Sequence, residues 1–166
     1  MTVKFKAVVI DNQNEKFTRD IKEIDSNHLK DGNVLIKIDY SSLNYKDALI
    51  LKDGGKIVRK FPFVPGIDFS GKVVESGDDK FKKDENVICT GFRVGEMYYG
   101  GFSQYAKVDS NFLIKNPKNI DAEQSMMLGT AGFTALQCSF AIKAREELLL
   151  GEKVNDVLVT LSLIHI

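Results

Sequence analysis

Residues 61–71 read Phe-Pro-Phe-Val-Pro-Gly-Ile-Asp-Phe-Ser-Gly, which places a tight turn directly before a short strand candidate. Proline presets φ for a turn and glycine accepts a positive φ, so Pro65-Gly66 predicts a fixed turn. The strand candidate occupies residues 69–75. This stretch is therefore expected to lie inside a β-rich domain, with the turn in a structural role.

Other short strand candidates surround this stretch on both sides. They cover residues 3–10, 34–40, 86–92, 102–108 and 112–114. Polar or glycine-containing turns separate them, and the first strand is expected to stop at the turn Asp11–Asn14. Around Tyr45 to Leu51 the spacing changes to three or four residues, which predicts one or two helical turns. The pattern predicts a mainly β domain with some α, a small barrel or sandwich, over residues 1–120.

From Asp121 the sequence pattern changes from short strand candidates to helical stretches. Asp121 and Gln124 have the spacing of a capping box, and a second helical stretch is predicted from Ala131 to Leu149, with Gly151 as its C-cap. Residues 155–160 resemble a fully buried strand that enters a parallel sheet. Residues 121–160 are therefore predicted to be linking helices and the first strand of an incomplete nucleotide-binding α/β domain.

A glycine-rich phosphate loop normally follows such a strand. Here Thr160 is followed by Leu-Ser-Leu-Ile-His-Ile, residues 161–166, which contain no glycine. We expect the chain to be cut off as its nucleotide-binding domain begins, and residues 161–166 to be a non-native tail.

The overall composition excludes several classes of partner. The 166 residues, 43% hydrophobic, suffice for one well-cored domain, and Lys plus Arg equals Asp plus Glu at 23 each. No bulk charge favours nucleic acid or a membrane surface. The longest apolar run, residues 157–166, is about half of the roughly 20 residues that span a bilayer, and no signal peptide fits the start. Cys89 and Cys138 are predicted to be buried thiols, and the protein is predicted to be cytoplasmic.

Three motifs in this order resemble one known family. They are NYKDAL (44–49), PGIDFSG (65–71) and GTAGFTAL (129–136). The chain resembles the quinone-oxidoreductase-like branch of the medium-chain dehydrogenase/reductase superfamily, and within it the subgroup that includes acryloyl-CoA reductases. The resemblance implies a GroES-like β-barrel catalytic domain followed by a Rossmann domain, with NADPH in the cleft between them. It also implies hydride transfer to the β-carbon of an α,β-unsaturated acyl-CoA, or to a quinone, by a homo-oligomeric parent protein.

The sequence predicts that zinc is not used. Zinc-dependent relatives carry Cys where this chain has Asn44, and a His-Glu pair where it has Ile67-Asp68. Isoleucine cannot bind a metal, and an amide is a poor zinc ligand beside thiolate and imidazole. Without a Lewis acid, hydrogen bonds must stabilise the developing enolate.

Tyr45 is the predicted catalytic residue, because a tyrosine at the matching family position lies against the nicotinamide. A phenol, with a pKa ordinarily near about 10, is protonated at neutral pH and can donate to an enolate oxygen or to carbon. A bound water is the alternative acid, and surface packing is the structural alternative for Tyr45. Asn44 is a candidate cofactor contact or the N-cap of the short helix. Asp47 is a candidate in the same site or a first-turn acid facing the helix dipole.

The third motif supplies the remaining cofactor candidates, Thr130 and Thr134. The resemblance places Thr134 near the nicotinamide, and a hydroxyl bonded to its own helix is the competing interpretation. The small residues 129–132 permit either the close approach of a ligand or tight packing between domains.

Arg93, Tyr98 and Tyr99 occupy a loop that the family directs toward the substrate. Arg93 could pair with a coenzyme A phosphate. The basic cluster Lys52, Lys56, Arg59 and Lys60 is predicted to be solvated surface.

Two alternatives to the acyl-CoA reductase remain open. One is a general quinone or enone reductase without preference for coenzyme A. The other is a non-enzymatic GroES-like binding module. Because residues 1–166 contain no phosphate loop, we expect this chain by itself to be inactive.

Overall fold

Two antiparallel sheets form the β-rich part of the chain in the computed structural model, which describes residues 2–13, 16–54, 56–148 and 157. Within these residues the strands are β1 (Lys4–Gln13), β2 (Lys16–Asp25), β3 (Val34–Ser41), β4 (Asp68–Ser76), β5 (Asn86–Thr90), β6 (Tyr105–Val108) and β7 (Leu113–Lys115). Helix α1 (Tyr45–Asp53) follows β3, and α2 (Ala122–Leu148) follows β7. Two compact units divide the chain, Met1–Ala131 and Gly132–Ile166, so the division falls inside α2.

The two sheets are joined by backbone hydrogen bonds. β1 and β2 form a hairpin, and the other five strands follow the order β6-β3-β4-β5-β7. The Val8 amide donates to the Phe102 carbonyl, and the Ile10 amide donates to the Phe63 carbonyl, both at 2.8 Å. The hairpin is therefore fastened to the loops that leave the five-stranded sheet.

The first three residues of β3 are buried, and their side chains pack on both faces of the strand. This packing holds β3, and with it the loop that follows, in place. Val34 and Ile36 pack in one apolar cluster with Phe69 of β4, whereas Leu35 packs in a second cluster with Phe5 of β1. Each such buried side chain stabilises the fold by about 1.5–3 kcal/mol. The predicted strand at 34–40 is confirmed.

The hairpin differs from the sequence prediction. β1 continues past the predicted stop at residue 11, because Asp11 pairs with Thr18 and Asn12 with Phe17 across the ladder. β2 was not predicted, since its sequence KFTRDIKEID is rich in charge and most of its side chains are exposed. A ladder satisfies the backbone groups of a polar strand, which composition does not reveal.

The turn Pro65-Gly66 is structural, as predicted. Gly66 has φ 106°, and an added Cβ would collide with the Phe102 amide nitrogen. The Gly101 amide donates to the Gly66 carbonyl at 2.8 Å, and the Phe102 amide donates to the Pro65 carbonyl at 2.9 Å. The turn therefore holds the end of the 91–101 loop against the start of β4.

Helix α2 begins where the capping box was predicted and bends at Gly129. The Gln124 amide donates to Asp121 Oδ1 at 2.8 Å, and the Asp121 amide donates to Gln124 Oε1 at 3.1 Å, which confirms the box. Gly129 has φ 47° and ψ −154°, which are not helical, so α2 consists of two helical segments that meet at Gly129, in agreement with the two predicted stretches. By length and composition alone Ala122–Arg145 could cross a membrane, but the break at Gly129 interrupts it. Gly151, the predicted strand 155–160 apart from the exposed Val157, and residues 161–166 lie outside the described residues.

The two cysteines differ in environment. Cys89 is buried in the five-stranded sheet, and this burial raises the pKa of its thiol to about 12. The prediction for Cys138 is wrong, because this side chain is exposed on α2. The apolar residues around Cys138 in the sequence do not show which face of the helix is buried.

Candidate functional site

The start of α1 is held by a buried carboxylate. Asn44 is the N-cap and forms a capping box with Asp47. Asp47 Oδ2 accepts from the Asn44 amide at 2.9 Å, and Oδ1 accepts from the Ile67 amide at 3.0 Å. Asp47 is fully buried, so it joins the start of α1 to the segment that leads into β4.

Burial raises the pKa of Asp47 above its ordinary value. The hydrogen bonds from Asn44 and Ile67 oppose this effect, and the nearby charge of Asp68 adds to it. Desolvation disfavours the charged form of a carboxyl group, whereas amide donors favour it.

A second buried carboxylate, Asp68 at the start of β4, joins three segments. Its Oδ2 accepts from Ser42 Oγ at 2.8 Å, from Asn44 Nδ2 at 3.0 Å and from the Thr130 amide at 2.7 Å. Its Oδ1 accepts from Thr130 Oγ1 at 2.6 Å. We name Ser42, Asn44, Asp68 and Thr130 the Asp68 cluster. It ties the β3–α1 loop, the first residue of β4 and the bend of α2 together.

Gly129 allows the bend of α2 to approach this cluster. A Cβ on Gly129 would lie 2.8 Å from Asp68 Oδ2 and 2.8 Å from Ser42 Oγ, and its φ of 47° is in the left-handed region. The small residues 129–132 were expected to permit a close approach. At Gly129 the backbone approaches the side chains of Asp68 and Ser42.

A cavity of about 430 Å³ lies beside the cluster. Its lining combines polar side chains from the β3–α1 loop with apolar side chains from the first turns of α2: Tyr40, Ser41, Ser42, Leu43, Asn44, Glu123, Met126, Met127, Leu128 and Ala131. A cavity of this size with a few convergent polar groups suits a flat amphipathic ring. The described residues therefore fit the nicotinamide end of a dinucleotide.

Tyr45, the first residue of α1, directly follows Asn44 of the cavity lining in the chain. Its side chain is 58% exposed, and its hydroxyl has no hydrogen-bond partner among the described residues. The phenol is thus accessible to a ligand.

The structure brings together three of the predicted cofactor residues, Asn44, Asp47 and Thr130. Asn44 combines an N-cap position with a place in the cavity lining. Thr134 lies on α2 in the unit Gly132–Ile166.

The three predicted substrate-side residues differ in how accessible their side chains are. The Arg93 side chain is 65% exposed. The Tyr98 ring packs on Phe112 at 5.5 Å. The Tyr99 hydroxyl donates to the Pro62 carbonyl at 2.9 Å, and burial raises the pKa of this phenol. Arg93 is therefore the member of this set most accessible to a ligand.

Sequence reasoning missed Asp68 as the centre of the site. The motif PGIDFSG contains the signal, because an acid at the first residue of a buried strand requires several donors. Ser42 was missed with it, since its role depends on the carboxylate that it reaches.

In the described part of the chain, no three or more His, Cys, Asp and Glu side chains form a group that could hold a metal ion. Ile67 contributes its amide to Asp47, and Asn44 and Asp68 bond to each other.

Comparisons with known proteins agree with this architecture. Residues 30–118 match the family model of the alcohol dehydrogenase GroES-like domain, which confirms the predicted domain type. The acrylyl-CoA reductase AcuI of Ruegeria pomeroyi is 42% identical over 158 residues, which are 94% of this chain and 47% of that protein. The chain therefore spans about half the length of this relative.

Two solved structures share the fold. The yhdH oxidoreductase from Salmonella enterica, in complex with NADP, has a TM-score of 0.81 and 38% identity over 84% of this chain and 43% of its own. The protein yhfP of Bacillus subtilis, with NAD bound, has a TM-score of 0.82 and 37% identity over 86% of this chain and 43% of its own.

Proposed function

We propose that this chain, which belongs to the medium-chain dehydrogenase/reductase superfamily in the branch of the acrylyl-CoA reductases and quinone oxidoreductases, supplies the substrate-side wall of an NADPH-dependent reductase. The proposed substrate is an α,β-unsaturated acyl-CoA such as acrylyl-CoA. The observation that carries the proposal is the exposed Tyr45 side chain, which directly follows Asn44 of the cavity with polar and apolar walls. A quinone is the second candidate acceptor, since quinone oxidoreductases belong to the same branch.

When bound, NADPH would supply a hydride to the β-carbon of the substrate, and the electrons of the C=C π bond would move toward the thioester oxygen. The Tyr45 hydroxyl donates a hydrogen bond to the thioester oxygen, where negative charge develops. A proton from Tyr45, or from a water held by it, then reaches the α-carbon and completes the saturated thioester. The hydrogen bonds of Asp47 fix the start of α1, where Tyr45 lies.

The buried carboxylates have a positioning role in this proposal. Asp47 was predicted to bind the cofactor, but its full burial and its two bonds to backbone amides favour holding Tyr45 in place. Asn44 and Thr130 retain a proposed role at the nicotinamide, and Asp68 orients both. Thr134 remains a proposed cofactor contact.

Zinc independence is part of the proposal. The positions that zinc-dependent relatives use carry Asn44, Ile67 and Asp68 here, and these groups are engaged with one another or with Asp47. Hydrogen bonds then do the work of a Lewis acid.

A hybrid enzyme tests the function. Residues 1–160 of this chain are joined to the remaining length of the Ruegeria pomeroyi reductase, and NADPH oxidation is followed with acrylyl-CoA and, separately, with 1,4-benzoquinone. We expect turnover of acrylyl-CoA by the hybrid and none by the 166-residue chain alone. Tyr45→Phe should lower kcat by roughly 10²–10⁴-fold if the phenol is the acid.

Tyr105→Phe is the matched control, because it removes a hydroxyl from β6, where the ring packs on Phe5 at 5.4 Å. A folded hybrid that binds NADPH but reduces neither acceptor would contradict the proposal and favour a binding module. Turnover of the quinone alone would favour the second candidate. Unchanged kcat in Tyr45→Phe would assign the proton to water.

A further inference from the structure

A second cavity, of about 200 Å³, lies between residues 57–63 and the 93–97 loop. Its lining has a cationic part and an apolar part: Ile57, Arg59, Lys60, Phe63, Arg93, Glu96 and Met97. We name it the basic cavity. Arg59 and Lys60 are exposed, as expected of solvated surface, and they line this cavity together with Arg93.

Positive charge at the basic cavity exceeds the negative charge that faces it. Glu96 Oε1 accepts from Lys46 Nζ at 2.8 Å, and Glu96 Oε2 lies 4.0 Å from Arg93 Nε. Arg59 and Lys60 form no hydrogen bond or ion pair with any residue that the structure describes. The described lining thus holds three cations, Arg59, Lys60 and Arg93, and one carboxylate, Glu96, and such an excess of positive charge attracts an anion.

The backbone holds Arg93 at the rim in an unusual conformation. Gly91, Phe92 and Arg93 have φ values of 89°, 53° and 62° in succession. This region is costly for residues other than glycine and persists where neighbouring groups enforce it. The Arg93 carbonyl accepts from the Met97 amide at 2.9 Å, and the Phe92 ring stacks on Phe112 at 5.1 Å. The Arg93 backbone is thereby fixed before any ligand binds.

Lys46 connects the basic cavity to the candidate site. It follows Tyr45 in α1, and its ammonium group bonds to Glu96 of the cavity lining. The residue next to Tyr45 in the chain is therefore in contact with a residue of the basic cavity, and both belong to the first compact unit.

We propose that the basic cavity binds a phosphate group of the coenzyme A moiety of the substrate. This inference rests on the proposed acyl-CoA reductase function and names the part of the chain that recognises the carrier. Arginine and lysine supply charge-assisted hydrogen bonds to phosphate oxygens. Ile57, Phe63 and Met97 supply an apolar wall for the adjoining organic part of the ligand.

Calorimetric titration of the 166-residue chain tests this inference without turnover. Coenzyme A should bind, with an affinity that falls as salt is added, and pantetheine, which lacks phosphate, should not bind detectably. Arg59→Gln/Lys60→Gln and Arg93→Gln should each weaken coenzyme A binding by roughly tenfold to a hundredfold. Glu96→Gln should strengthen it, because it removes the carboxylate that competes with the ligand.

Lys80→Gln/Lys83→Gln is the charge-matched control, on the turn at the opposite end of β4 from Asp68. Circular dichroism verifies that each variant is folded. Equal binding of pantetheine and coenzyme A, or an equal loss in the control, would overturn the proposal. NADP⁺ binding that is abolished by the same variants would assign the cavity to the cofactor phosphate and would also overturn it.

The two proposals fail separately. If this chain binds coenzyme A but the hybrid shows no turnover, the proposed phosphate site is supported and the proposed reductase function is contradicted. Turnover in the hybrid with no loss of coenzyme A binding in the variants would do the reverse.

Discussion

Asp68 is the residue on which the local geometry depends most, since donors from three segments converge on its two oxygens. Asp68→Asn keeps the side-chain volume but replaces one acceptor oxygen with a donor. One of the groups that now donate to Asp68 must then face an amide N–H.

We expect Asp68→Asn to lower the free energy of unfolding by about 1–3 kcal/mol, the cost of leaving a buried polar group unsatisfied. Urea denaturation measures the change. Ser42→Ala, which removes a single donor, is the milder comparison. Equal stability of Asp68→Asn and the wild type would show that the cluster rearranges without cost.

Asp47 gives a pH dependence of defined sign. Because burial raises its pKa in the folded state, the folded protein binds this proton more tightly than the unfolded chain does. The resulting stabilisation is fully present below the unfolded pKa and is lost as the pH rises through the folded pKa.

Asp47→Asn cannot titrate at this position, so its stability should lack this contribution. We expect the destabilisation by Asp47→Asn to be largest in acid and to shrink as the pH rises from about 4 toward neutrality. Urea denaturation of both proteins across this range measures the difference. A difference that grows with pH would contradict the raised pKa.

At the scale of single residues, the sequence identified which residues lie together better than it identified what each of them does. Asn44, Asp47 and Thr130 were selected from motifs and do lie together. Asp68, whose carboxylate accepts from both Asn44 and Thr130, was not selected. A buried acid of this kind can be recognised only from the donors that surround it. Those donors come from residues far apart in the chain.

At the scale of elements, the bend of α2 is the feature most open to test. Gly129→Ala places a methyl group 2.8 Å from Asp68 Oδ2 at a residue with φ 47°. We expect a loss of at least about 1–2 kcal/mol in the free energy of unfolding, the penalty of the left-handed conformation alone, with the contact adding to it. Thermal unfolding followed by circular dichroism measures this loss.

Gly77→Ala is the control for this substitution. An added Cβ there meets the Asn33 carbonyl oxygen at 3.4 Å, an ordinary contact, in the turn after β4. Similar losses in both variants would mean that the bend tolerates a side chain.

The elements predicted with success were those with a clear periodic signal. β3 and α1 follow from alternation and from the change of spacing, and the start of α2 follows from its capping box. β2 was missed because its pairing with β1 is a property of the hairpin, not of its own charged sequence. The bend at Gly129 similarly depends on Asp68, which a local pattern does not contain.

At the scale of the whole molecule, the chain holds one side of the proposed reaction. The GroES-like domain, the Tyr45 region and the basic cavity all lie in the first compact unit. The predicted strand at 155–160, apart from Val157, lies outside the described residues, so the predicted entry into a nucleotide-binding domain stays a prediction. The relative from Ruegeria pomeroyi is about twice as long as this chain.

The positive φ values of Phe92 and Arg93 belong to the loop of the proposed carrier site, which is distinct from the Asp68 cluster. The Asp68 cluster does not use the 93–97 loop, and the loop contributes no donor to Asp68. An engineer could therefore exchange Arg59, Lys60 and Arg93 for neutral groups to admit uncharged enones or synthetic thioesters. The Asp68 cluster would keep its shape, so the proposed carrier site could be redesigned without rebuilding the scaffold.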